Sequence, residues 1–306
     1  MTRFLINCSL FVLAFFIVDK SLLLLRNSRP QKELDRRLEY IITGQIRSDI
    51  IVLGSSRGAR DIVASQIADS LHTTAFNLSY PGSDINFHEY LLANFIKCGN
   101  AKPKVLILAL DDPAEIKEDP TIKFRFDRLY PLVKYEAVRN TLIEYGEKNR
   151  VLSGLFIVHQ LSLSNFDPRK QHFTKQDTLL TDGSMPISWQ SDKFNRTFHF
   201  EPAVYNETQE KPDKVQSLRN IIRICHDNDI TLLMACTPNF SKPSIGFSQR
   251  ICELAGPKNY VMDYDTTNAL YRNADYYFDD AHLKLNGATV YTSEISAFIK
   301  EHNLLD

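Results

Sequence analysis

The chain opens on an apolar run. Phe4 to Val18 is almost free of polar side chains, and Leu22 to Leu25 extend the run past Asp19 and Lys20 to about the twenty residues that a helix needs to cross a bilayer. The pattern predicts a membrane-spanning helix over residues 1–26, with the polar pair near its end snorkelling toward the interface. Between Glu33 and Ile42, charged residues alternate with Leu38, Ile41 and Ile42 at helical spacing, which predicts a stalk helix within residues 27–47. Residues 48–306 then read as a single α/β domain. Short β-rich runs at 49–53, 74–78 and 105–110 alternate with helical stretches at about 58–70 and 86–97. The rhythm resumes with a helix at about 214–227, a strand at 231–235, a helix near 247–254, a strand at 260–262 and a last helix from about 286 to 301. Such alternation is the signature of a parallel sheet with crossover helices. A long excursion, about 111–212, interrupts it with amphipathic stretches near 135–148 and 152–160 and a polar, proline-dotted segment that holds Trp189 and several phenylalanines. It reads either as a cap that shapes a substrate site or as a packing elaboration.

Composition narrows the function classes. At 306 residues and a formal charge of −1, the chain has the length for a sizeable core and lacks the concentrated basic surface that a nucleic-acid partner requires. Five cysteines are present, but Cys98, Cys225, Cys236 and Cys252 show neither Cys-x-x-Cys spacing nor histidines at zinc-ligand intervals, so no metal site is expected. Cys225 and Cys236 flank a predicted helix-to-strand turn and read as buried thiols, with a disulfide as the alternative in an oxidising compartment. The apolar run ends in Leu-Leu-Leu-Leu-Arg without the small residues of a cleavage site, which favours an uncleaved anchor over a removable signal. Arg26, Arg29, Lys32, Arg36 and Arg37 follow the span and only Arg3 precedes it; taken alone, that bias places the domain in the cytoplasm.

Two local patterns carry chemistry. The strand Ile50-Ile51-Val52-Leu53 runs into Gly54-Ser55-Ser56-Arg57-Gly58, after which a helix begins. Ligands of open parallel sheets bind outside the carboxyl ends of the strands, and a serine at such a turn lies beside backbone amides and the positive end of a helix dipole. The plainer reading is that Ser55 or Ser56 caps the helix. The second pattern, Phe278-Asp279-Asp280-Ala281-His282, precedes the last helix. A serine hydroxyl needs an imidazole to take its proton and a carboxylate to hold that imidazole in the right tautomer. Asp279 and His282 supply both, three residues apart; the plainer reading makes His282 an exposed helix-start residue and Asp279 or Asp280 a cap.

Together the glycine-x-serine block after the first strand and the Asp-x-x-His block before the last helix resemble the SGNH/GDSL-like hydrolase superfamily, from about Ser48 to the C-terminus without the excursion. The Gly-Ser-Ser-Arg version with an N-terminal anchor is most similar to the membrane-anchored branch that includes alginate O-acetylation and D-alanyl-lipoteichoic acid proteins. The resemblance implies a three-layer, flavodoxin-like parallel sheet, no cofactor, and a domain on the non-cytoplasmic side of the membrane, against the charge bias. It implies Ser56 as nucleophile, His282 as general base and Asp279 as its orienting partner. In Phe76-Asn77-Leu78-Ser79-Tyr80-Pro81-Gly82, which resembles the family's glycine block, Gly82 would offer an amide to the oxyanion beside that of Ser56; losing one such donor costs ~3 kcal/mol of transition-state stabilisation. An ordinary Pro-Gly turn is the alternative there. The chain departs from the family at Leu110-Asp111-Asp112-Pro113, where an asparagine often donates to the oxyanion. An ionised carboxylate cannot donate. Arg57, Asp111 and Asp112 are therefore candidates for binding substrate hydroxyls, or Asp111 and Asp112 for capping the next segment.

The implied activity is transfer or hydrolysis of an O-acyl ester, acetyl first, on a cell-envelope or exported polysaccharide. The alternative is an inactive SGNH-like protein that binds polymer or serves a multi-span membrane acyltransferase as an assembly factor. No phosphate-cradling glycine run follows any strand, which sets nucleotide binding aside.

Overall fold

The computed structural model describes residues 1–111, 113–167, 178–189, 196–202, 204–240 and 244–305. The chain divides into two compact units, one joining Met1–Ile42 to Arg125–His172 and the other joining Thr43–Phe124 to Phe173–Asp306.

The second unit is built on a five-stranded, wholly parallel sheet: β1 (Ile50–Leu53), β2 (Ala75–Asn77), β3 (Val105–Leu110), β4 (Thr231–Cys236) and β5 (Tyr260–Met262). The strands lie in the order β2-β1-β3-β4-β5. Every residue of β1 and β3 is buried, which is why both read as unbroken apolar runs rather than alternating ones. Register is continuous from Ile50 opposite Val105 to Leu53 opposite Leu108, and from Val105 opposite Thr231 to Leu110 opposite Cys236. From β1 the chain goes first to the edge strand β2 and then to β3 on the other side of β1. That reversal leaves a crevice beyond the carboxyl ends of β1 and β3, where ligands of such sheets bind.

The connecting helices are α3 (Ser56–Asp61), α4 (Ala64–Leu71), α5 (Ile85–Lys97), α9 (Pro212–Asp227), α10 (Ile245–Ala255) and α11 (Leu285–Glu301), numbered with the helices of the other unit in chain order. Helix α11 packs on α3 and α4, and α5 packs on α9. Tyr291, Ile295 and Ile299 of α11 share one core with Ile50, Val52, Ile107 and Leu233 of the sheet. The helix expected over 58–70 is in fact two helices, broken at the extended residues Ile62 and Val63. Asn77 donates to the carbonyls of Gly58 and Ile62 (2.8 and 3.0 Å), Thr292 accepts from the Val63 amide, and Ser184 accepts from the Ala64 amide. These partners satisfy the orphaned groups at the break, and all are remote in sequence, so no local signal announces it. The five cysteines are free thiols; Cys225 and Cys236 are buried, and burial pushes the Cys225 thiol up to about 12.

In the first unit, α1 (Thr2–Ser28) is the apolar helix, long enough to cross a bilayer. The stalk helix is not formed as a single element: a short 3-10 turn at Arg29–Lys32 is followed by an extended stretch and then by α2 (Arg37–Ile42). Asp35 is the cause, because its carboxylate accepts from the Arg37 amide (3.2 Å) and pairs with the Arg37 guanidinium (2.9 and 2.7 Å), restarting the helix there. Nor are all of its charges solvated. Arg29, Arg37 and Glu39 are buried, Arg29 pairs with Glu33 at 3.2 Å, and Glu39 holds Arg36, Lys134 and the Tyr135 hydroxyl.

The excursion contributes α6 (Phe126–Leu129), α7 (Glu136–Glu144) and α8 (Arg150–Leu155) to this unit. Helix α8 is shorter than its apolar spacing predicts. Asn149 caps its start, and beyond Leu155 the amides of Ile157 and Val158 bond to the Asp19 carboxylate at 3.0 and 2.9 Å instead of continuing the helix.

Candidate active site

The turn after β1 is shaped by close packing. A Cβ on Gly54 would lie 2.9 Å from the Ala109 carbonyl oxygen, and one on Gly58 would lie 2.6 Å from the Ser79 hydroxyl. Glycine at both positions lets α3 descend onto the ends of β1 and β3, and Ser56 is its first residue. Ser55 stands at the N-cap position, but neither serine side chain makes a capping hydrogen bond. The Ser55 hydroxyl donates to the Asp111 carboxylate, and Ser56 Oγ lies 2.7 Å from His282 Nε2.

His282 stands on a loop rather than on the first turn of α11, which begins only at Leu285. The loop is closed by the Phe278 amide bonded to the His282 carbonyl (2.8 Å), by a bridge between Tyr277 and Leu283, and by the Lys284 amide bonded to the Tyr276 carbonyl (2.9 Å). Within it, Asp279 Oδ1 accepts from the amides of Ala281 and His282, both at 2.9 Å, so the carboxylate organises the loop that presents the imidazole. The same carboxylate lies 2.8 and 3.0 Å from His282 Nδ1. Burial opposes its ionisation. The His282 bond and charge and the two amides outweigh that, and the Asp279 carboxyl lies below its ordinary value. With Nδ1 occupied by a carboxylate, a neutral His282 keeps its proton on Nδ1 and turns an acceptor Nε2 toward Ser56. The His282 side chain is 15% exposed and Ser56 is half-buried, so the pair can be reached from outside.

The other residues singled out in the sequence fall as follows. Gly82, at φ +74°, is the third residue of a Pro-Gly turn closed by the Ser83 amide on the Tyr80 carbonyl (3.0 Å). That turn is tied to the end of β1 by the Tyr80 amide on the Gly54 carbonyl (3.0 Å), but no bond links Gly82 to Ser56. Arg57 is buried, its Nε 3.6 Å from Asp111 Oδ1 and its Nη1 3.4 Å from the Thr237 hydroxyl. Asp111 is buried between Ser55 and Arg57 at the end of β3. Burial pushes its carboxyl up, with Arg57 opposing and Glu115 adding to the rise. The shift is toward the protonated form, which can donate as well as accept. Asp112 lies outside the described residues.

Two features have no signature in the sequence. Asp61, at the far end of α3, is fully buried and its Oδ1 accepts from the Leu283 amide at 2.9 Å. It therefore fastens the helix that begins with Ser56 to the residue after His282. Burial pushes this carboxyl well up, against the Leu283 amide and the charges of Arg57 and Arg60. The second feature is another serine, histidine and acid array. Ser83 Oγ lies 2.9 Å from His88 Nε2, and His88 Nδ1 lies 3.2 Å from Glu115, whose other oxygen accepts from the Asp111 amide at 2.9 Å. All three side chains are fully buried, so no substrate can reach them; they brace the Pro-Gly turn, α5 and the end of β3. Among the described residues, no cluster of three or more His, Cys, Asp or Glu could hold a metal ion.

Part of the excursion runs past this loop. The Met185 amide bonds to the Ala59 carbonyl of α3 (2.7 Å) and the Leu285 amide to the Ile187 carbonyl (2.6 Å). Trp189 stands edge-on to Phe278 with ring centroids 4.9 Å apart, and Arg196 pairs with Asp280 at 2.7 Å. No family model matches the chain, and no curated protein matches it in sequence.

Proposed function

We propose that this chain is a membrane-anchored, SGNH-like serine enzyme that transfers or hydrolyses an O-acyl ester, acetyl first, on a cell-envelope or exported polysaccharide. The observation that carries the reading is the chain of contacts from Ser56 Oγ to His282 Nε2 (2.7 Å) and from His282 Nδ1 to Asp279 (2.8 Å), at the carboxyl end of a parallel sheet. The strand order 2-1-3-4-5 is that of flavodoxin-like sheets and supports the three-layer SGNH type. On this reading the domain lies on the non-cytoplasmic side, where the glycan is.

Ser56 Oγ attacks the acyl carbonyl carbon while its proton passes to His282 Nε2. The bond to the departing alkoxide breaks as that oxygen takes the proton from Nε2, leaving the acyl group on Ser56. A sugar hydroxyl or water then attacks the acyl carbon, giving its proton to Nε2, and Ser56 Oγ leaves with that proton. Amides of Ser56 and Gly82 are the proposed oxyanion donors. No cofactor is required.

A second reading is favoured by one observation: the end of β3 carries Asp111, whose carboxyl is taken up by Ser55 and Arg57 rather than held out as a donor. In that case the domain is an inactive SGNH-like binding or assembly protein that partners a multi-span acyltransferase. A fluorophosphonate probe separates the two. The active reading predicts covalent labelling of the native chain at Ser56, absent after heat denaturation and absent in Ser56→Ala. Native chain that takes up no probe, or the same amount as Ser56→Ala, contradicts it.

A further inference from the structure

The helix α1 carries a difficulty that its own sequence does not resolve. From Phe4 to Val18 the apolar run is about 22 Å long at about 1.5 Å per residue, short of a hydrocarbon core of about 30 Å. To reach the required length the span must continue through Leu22 to Leu25, which takes Asp19 about 9 Å inside the exit at Leu25 by the same rise. A carboxylate facing lipid at that depth is costly. Asp19 does not face outward. It is 2% exposed, holds the amides of Ile157 and Val158, and pairs with Lys20 at 3.2 Å.

Those contacts bring a second segment down along the helix. Lys20 also donates to the Leu155 carbonyl (2.9 Å), Arg26 donates to the Gln160 side chain (2.7 Å), and Phe156 packs against the rings of Phe15 and Phe16, with centroids 5.6 and 5.9 Å apart. Residues 155–160 thus run beside α1 from the level of Phe15 to that of Arg26. Around these anchors the segment turns large apolar side chains outward: Val151 is 65% exposed, Leu155 57% and Leu163 92%, with Val158 and Phe166 also exposed. Such a patch, continuous with a membrane-spanning helix and level with its last turns, fits the apolar side of a bilayer interface.

We propose that residues 150–166 form a second membrane contact, a re-entrant amphipathic segment docked on α1 by Asp19 and inserted among the lipid chains just below the headgroups. Arg150 at its start and Arg26 on the helix are the basic residues at its edge, where headgroup phosphates would meet them. The anchor is then a helix plus a wedge that limits how far the unit can tilt or rise from the surface. This rests on α1 lying in a bilayer, and the test separates the two.

Trp189 is the single tryptophan, so a Trp189→Phe background is dark. Into it are placed Leu155→Trp, Val151→Trp and, as a report on α1 itself, Leu10→Trp, each in the full chain reconstituted in phosphatidylcholine vesicles with plain or dibrominated acyl chains. Bromine quenches indole only at short range. About a twofold or greater fall in indole emission from positions 151 and 155 in brominated vesicles, with blue-shifted spectra, is expected for an interfacial segment. Quenching at position 10 with water-like, unquenched emission at both 151 and 155 overturns the proposal and leaves the anchor standing; that result would assign the patch to a protein partner. No quenching at any of the three positions removes the anchor and the wedge together.

Discussion

His282→Ala is expected to lower the rate at which Ser56 is acylated by about 10⁴- to 10⁶-fold, measured as the pre-steady-state release of 4-nitrophenol from 4-nitrophenyl acetate. The size follows from the arrangement of the groups. Among the described residues, Ser56 Oγ has one base within reach, His282 Nε2 at 2.7 Å, and the hydroxyl without a base is a very weak nucleophile at neutral pH. What is expected to survive in the variant is the contribution of the backbone amides and of binding, worth about 10³- to 10⁴-fold over water in serine proteases. The buried His88, with its own serine and acid, cannot substitute because it is fully enclosed. A His282→Ala chain that still releases 4-nitrophenol within tenfold of the native rate would place the reacting group elsewhere.

Asp279→Asn is expected to cost about 10³- to 10⁴-fold in the same rate, because the amide can present its NH₂ to Nδ1 and fix the imidazole in the wrong tautomer, with its proton toward Ser56. The pH dependence of the loss is specific. The Asp279 carboxyl lies below its ordinary value, so it stays ionised from about pH 5 to about pH 8 and its own titration takes no part in the pH dependence of the loss there. Under more acid conditions the native carboxyl takes up a proton and the advantage of the native chain over the variant falls. The stability that Asp279 contributes has the same sign: present above the unfolded carboxylate pKa and lost as pH falls through the lower folded value. A purely structural role predicts a fall in melting temperature with little change in rate for the folded fraction.

The strands and most helices are legible in the sequence because a parallel sheet covered on both faces imposes uninterrupted apolar runs, and β1, β3 and β5 fall within a residue of where those runs lie. The break between α3 and α4 is not legible, since Asn77, Ser184 and Thr292 satisfy it from elsewhere in the chain. The interruption of the stalk is not legible for a related reason: the helical spacing predicts one helix, whereas Arg29, Arg37 and Glu39 are buried in ion pairs that only the folded unit supplies. At the site, Ser56, Asp279 and His282 could be picked out because each lies at a strand end or before a helix in a short pattern. Asp61 could not, because its partner is the amide of Leu283, a backbone group that carries no sequence signature. Asp111 is visible as a departure, but its pairing with Ser55 and Arg57 is a matter of tertiary packing.

The most direct measurement is the mass of the peptide that carries Ser56 after brief exposure of the native chain to 4-nitrophenyl acetate and quenching in acid. An added acetyl group is expected on Ser56, removed on standing with water or an acceptor sugar and missing when Ser56 is alanine. Acetyl found only on lysines or the amino terminus, with the Ser56 peptide unmodified at every time point, contradicts it.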